Sequence, residues 1–157
     1  PCMLHLVEMP PAPVPAFLVD CVDALQRRLA RRGGQPAAPS ETPLDQAPWF
    51  TYQGFDLRRP ADPWDVEFGA RATDAALAGR VGALKATSSK AAYLWHALRP
   101  NRHSARLVET LRATARRDSG FDSAMYLASQ TPTAGYADLN TNAAILQAIA
   151  HILRPHS

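Results

Sequence analysis

The sequence predicts a mainly α-helical domain with long polar loops and at most short strands. Three observations carry this. Apolar residues recur at three- and four-residue spacing in four separate segments. The stretches between them are rich in Pro, Gly, Ser and Thr. No strand-helix alternation of the kind that builds a parallel sheet is visible. With 157 residues the chain is long enough for one domain, 1–157, around one real core. A hydrophobic fraction of 46% excludes a disordered chain.

Val14 to Arg32 reads as a helix, with Pro15 in its first turn and Gly33 and Gly34 after its end. Phe17, Leu18, Cys21, Val22, Leu25 and Leu29 form its apolar face. Arg27, Arg28, Arg31 and Arg32 crowd its last turns, where cations favour the helix dipole. Gln35 to Pro48 is Pro-rich loop, and "PWFTYQGF" (Pro48 to Phe55) is a short extended segment. Leu57 to Gly69 again reads as loop, and Ala70 to Leu84 as a weak helix interrupted by Gly79 and Gly82. "TSSKAAYLWHAL" is a helix capped by Thr87 or Ser88 and stopped by Pro100. Ser104 is expected to cap the next helix, Ser104–Arg117, making an αα-hairpin with its predecessor. A Ser/Thr/Gly-rich excursion follows. The last helix, after Asn140, Thr141 and Asn142, is expected to bury Ile145, Leu146, Ile149, Ile152 and Leu153.

The net charge of +3 is too small to argue for nucleic acid as a partner. Its arginine-dominated basic set matches codon usage in a GC-rich genome. No run approaches the ~20 apolar residues of a membrane span, and the start lacks the basic region of a signal peptide. Cys2 and Cys21 have no metal-binding spacing, nor do His5, His103, His151 and His156. No cofactor is expected.

Four stretches occur in a suggestive order: "SETPLDQAPWFTYQGF", "TSSKAAYLWHAL", "DSGFDSAMYLAS" and "LNTNAAILQAIAHIL". Together they resemble the C-terminal half of a bacterial domain family of unknown function. That family is often encoded near polysaccharide synthesis and export genes, and is similar in outline to the (α/α) toroids of glycoside hydrolases. The resemblance implies a partial (α/α) toroid and a carbohydrate-binding or carbohydrate-processing domain, glycoside hydrolase-like if active. It implies an oligo- or polysaccharide partner and a cell envelope or periplasmic setting. It also implies that helix faces are left for the missing half of the domain or for self-association. Thr42, Leu127 and Gln147 stand where the family pattern has acids, so binding is expected ahead of hydrolysis.

Sugar hydrolysis generally needs two carboxyls, ~5 Å apart for retention or ~6.5–9.5 Å for inversion. Glu41 and Asp138 are the catalytic candidates, with Asp45 and Asp122 as further loop carboxylates. Asp138 equally suits a helix cap and Asp45 an Asx-turn. Trp49, Phe50, Tyr52 and Tyr126 offer faces for sugar rings, though aromatics at such spacing also suit a core. Lys90, in a helix first turn where the dipole disfavours a cation, points to a cleft or an ion pair. Asn140 and Asn142 exceed what one cap needs, and an amide both donates and accepts toward a hydroxyl. Glu41, Trp49, Lys90, Asp138, Asn140 and Asn142 are expected to meet in one polar depression. Two other classes compete. Pro1 with the alternating "CMLHLVEM" resembles the opening of the tautomerase superfamily, where a terminal proline is the base; that requires Cys2 to Met9 to be a strand. A non-catalytic helical scaffold is the third.

Overall fold

A computed structural model describes residues 2–9, 13–33, 37–59, 61, 63–68 and 79–154. Its helices are α1 (Cys2–Glu8), α2 (Pro13–Gly33), α3 (Val81–Leu84), α4 (Ser89–Leu98), α5 (Arg102–Thr114) and α6 (Leu139–Leu153). Its strands are β1 (Thr42–Pro43), β2 (Phe50–Phe55), β3 (Trp64–Phe68), β4 (Ala86–Ser88), β5 (Arg116–Arg117), β6 (Gly120–Phe121) and β7 (Ala124–Tyr126). The strands pair into three small antiparallel sheets, β1-β2-β3, β4-β7 and β5-β6.

The expectation of a mainly α partial toroid is therefore overturned: about half of the described residues are helix, and the strands among them form three antiparallel sheets. The strands escaped the sequence reading for a physical reason. β3 lies in the charged, proline-marked stretch taken for loop, but its prolines fall before the ladder begins, where no N–H is missed. In β2, Thr51 and Gln53 point inward while Phe50 and Tyr52 face out. This alternation puts polar residues in the interior and aromatics outside, the reverse of the usual signal.

α4 is the centre of the core. Residues 89–95 are all buried, and the helix packs against α1, α5 and α6. Ala91, Ala92 and Trp95 meet Val19 of α2 and Leu107 and Leu111 of α5. Tyr93 and Leu94 meet Val7 of α1 and Ala144, Ile145 and Ala148 of α6. The alanines allow close helix approach, while Leu and Trp fill the volume between. A third cluster, Leu44, Leu84, Ala86, Ala124 and Tyr126, underlies the sheets.

Several local expectations also change. Ser88, one of the two expected caps of α4, is its cap, as read. Ser104 is not the cap of α5: Asn101 is, and Ser104 completes a reciprocal capping box at its third position. That helix ends at Thr114, because Arg116 and Arg117 turn into a hairpin with Gly120 and Phe121. α6 buries Thr141, Ala144, Ile145 and Ala148. Leu146, Ile149, Ile152 and Leu153 are exposed instead of buried, Leu153 at 75%. The small residues Thr141, Ala144 and Ala148 won the inward face because α4 approaches closely there. Cys2 to Glu8 is helix, not the strand a tautomerase opening requires. Pro1, residues 70–78 of the predicted weak helix and His156 lie outside the described residues.

Candidate functional site

The antiparallel β2–β3 ladder pairs Tyr52 with Glu67 and Gly54 with Asp65. Along the outer face of β2, Phe50 and Tyr52 sit two residues apart, both exposed, and touch edge to face at 5.1 Å between ring centroids. Beside them lies a depression of about 550 Å³ lined by Glu41, Tyr52, Asp56, Arg58, Asp65 and Glu67, among others. Its floor is braced by Gln53. The Gln53 amide donates to Thr51 Oγ1 at 2.9 Å and to the Leu84 carbonyl at 3.0 Å. Its oxygen accepts from Trp64 Nε1 at 3.1 Å and from the Ala86 N–H at 3.0 Å. One buried side chain thus ties β2 and β3 to α3 and β4.

Glu41 precedes β1 and also borders a second, mostly apolar groove against Met3, Leu18, Val22 and Trp95. Lys90 Nζ donates to Glu41 Oε1 at 2.9 Å, and Ser40 Oγ donates to Oε2 at 3.1 Å. The Lys90 side chain is only 7% exposed and that of Glu41 35%. Burial pushes the Glu41 carboxyl up, but the hydrogen bonds and charge of Lys90 outweigh this and hold it below the ordinary 4.5. Glu41 is therefore an ionised acceptor, aimed by a buried cation. Asp56, bonded to Arg58, is pulled down to about 2. Arg59 joins Asp56 to Asp65. Both shifts run opposite to what a general acid at neutral pH needs.

The remaining predicted residues lie elsewhere. Trp49 is exposed just before β2, with a left-handed backbone at φ 67°, and does not line the depression. Tyr126 is buried in β7. Its hydroxyl donates to Asp45 Oδ1 at 2.6 Å, and burial, then this bond, pushes its pKa up to about 12. Asp45 accepts also from the Ala134 N–H at 3.1 Å. Asp138 caps α6, accepting from the Thr141 N–H at 2.8 Å. Asn140 is exposed on the first turn of α6.

Asn142 clamps β6. Its oxygen accepts from the Phe121 N–H at 2.8 Å, and its nitrogen donates to the Phe121 carbonyl at 3.1 Å and the Asp138 carbonyl at 3.0 Å. The structure thus brings together Glu41, Tyr52 and Lys90, and places Asp138, Asn140 and Asn142 around the start of α6. Sequence reasoning missed Gln53, Asp56, Asp65 and Glu67. The period-two alternation of "FTYQGF" and "WDVEF" was the available signal for all but Asp56.

Among the described residues no group of three or more His, Cys, Asp or Glu is placed to hold a metal ion. None of their helices is long and apolar enough to cross a membrane. Cys21 is half-buried with a free thiol. No curated protein and no solved structure matches the chain. A family model described as a protein of unknown function (DUF3131) matches residues 1–154, nearly the whole sequence, and the chain belongs to that family.

Proposed function

We propose that the outer face of the β1-β2-β3 sheet binds a carbohydrate, with Tyr52 and Phe50 as the platform and Glu41 as the oriented acceptor. The observation that carries this reading is the exposed edge-to-face aromatic pair beside a depression rimmed by carboxylates. Sugar rings present apolar C–H faces to aromatic rings and hydroxyls to charged acceptors, and this surface offers both. An exposed aromatic pair away from the core is a surface that stability does not require. Lys90 keeps Glu41 ionised, so Glu41 accepts from hydroxyls and does not donate a proton to a leaving group. Glu41 and Asp56 are both held low, so neither supplies the protonated acid that hydrolysis needs, and the reading is one of binding. Asp138, Asn140 and Asn142 then support α6 and do not touch the ligand.

The test is a glycan array followed by calorimetric titration of the best glycan. Tyr52→Ala is expected to weaken binding by about 1 kcal/mol, roughly fivefold, and Asn142→Ala to lower the melting temperature with affinity unchanged. Absence of any glycan ligand, or a Tyr52→Ala variant that binds like wild type, rejects the reading.

A further inference from the structure

A separate pocket, of about 540 Å³, opens between the C-terminal half of α2 and the start of α5. Two arginine pairs line it, Arg27 and Arg31 on α2, Arg102 and Arg106 on α5, each spaced four residues apart. None of its lining residues is acidic. Asp23 stands beside it, bridging Arg27 at 2.9 Å and accepting from Asn101 Nδ2 at 3.2 Å. Arg31, Arg102 and Arg106 form no ion pair among the described residues. Like charges four apart on a helix repel, and Asp23 offsets only the Arg27 member of the four. His103 also lines the pocket, and its Nε2 is buried without a partner among the described residues. Asn101 Oδ1 occupies the N–H groups of His103 and Ser104. A ligand therefore meets side chains here, not a free helix start.

We propose that this pocket binds a small diphosphate-bearing molecule. Guanidinium forks match phosphate oxygens two at a time. Two pairs on two helices fit two linked phosphate groups better than one, and the concavity fits a small molecule better than a continuous strand. His103 donates a further hydrogen bond to the anion. The proposal is independent of the carbohydrate reading, since the two surfaces share no residue.

The test is calorimetric titration with sodium pyrophosphate at low salt, using wild type, Arg31→Gln, Arg106→Gln and Tyr52→Ala. One saturable site is expected, weakened tenfold or more in each arginine variant and unchanged in Tyr52→Ala. Without ligand the arginine variants should melt at or above the wild-type temperature, which separates lost binding from lost folding. Arg106→Lys, which keeps charge but loses the fork, should bind between the two. No saturable binding to wild type, or arginine variants that bind as wild type does, overturns the proposal. Arginine-dependent binding of a single-stranded oligonucleotide without binding of pyrophosphate overturns it too.

Discussion

The two depressions are nearly equal in size and opposite in how their charge is arranged. In the sheet depression Glu41 has Lys90, Asp56 has Arg58, and Asp65 has Arg59. Such a surface is polar and, Glu67 aside, internally compensated, and suits a neutral, hydroxyl-rich ligand. In the helix pocket one carboxylate stands beside four guanidiniums. Only Arg27 is compensated, and the pocket suits a ligand that brings its own negative charge. The difference teaches that a net charge of +3 describes neither surface. Charge acts within about a Debye length, ~8 Å at physiological salt, so local pairing decides what each surface can recognise.

The change expected to separate the two regions most is Gln53→Leu. It strips partners from the Trp64 indole, the Ala86 N–H and the Leu84 carbonyl at once. A loss of about 3 kcal/mol in urea unfolding is expected, since each buried unsatisfied group costs ~1–3 kcal/mol. If the variant folds, glycan affinity should fall while the arginine pocket keeps its pyrophosphate affinity. Equal loss at both would show that the regions are coupled.

Glu41→Gln should cost about 2 kcal/mol, because it leaves the Lys90 ammonium buried without its counter-charge. Lys90→Met should cost less, since Glu41 is the more exposed partner and water can reach it. A double variant less destabilised than the sum of the two would measure their coupling. Additive losses would mean the pair contributes nothing beyond packing.

Acid titration should tell the regions apart by window. Burial, then Arg27 and Arg106, hold His103 below its ordinary 6.5, with Asp23 acting the other way. As pH falls below 6.5 the unfolded chain takes up that proton first, so stability declines until the folded histidine is protonated too. Glu41, also lowered in the folded state, contributes stability above 4.5 that is lost as pH falls through its folded value. His103→Gln should flatten only the upper part of the stability profile and Glu41→Gln only the lower. A single unbroken slope in both variants would contradict these assignments. The smallest effect expected is Tyr52→Ala on stability, within ~0.5 kcal/mol by thermal melt, because its ring faces solvent.

The sequence carried the helices better than the strands. α2 and α4 appeared within a residue or two of their predicted bounds, because their apolar periodicity is long. The extended segment at Phe50 was legible from its aromatics. β3 was not, because its pairing depends on partners well outside a local window, as far apart as Thr51 and Phe68. The likeness to a domain family of unknown function held at the level of the family. At the candidate site, the conflict of Lys90 with the helix dipole pointed to a cleft or an ion pair, and the structure gives it the ion pair with Glu41. Asn142 invited a ligand role because spacing cannot show that β6 comes back to meet it. The arginine pocket was invisible for the same reason: Arg27 and Arg102 are 75 positions apart, and each pair alone resembles a solvated helix face.

The clamp between α6 and β6 has a consequence for how this chain can vary. Gly120 adopts φ 132°, and a Cβ there would stand 2.5 Å from the Asn142 side-chain oxygen. Position 120 therefore tolerates a side chain only if position 142 shrinks, and shrinking it removes three hydrogen bonds. The positive φ penalises the new residue even then. The two positions form a coupled pair in which every single step is downhill in fitness, and a double step does not recover what was lost. In a library randomised at both, glycine and asparagine should be recovered together, and neither should be enriched without the other.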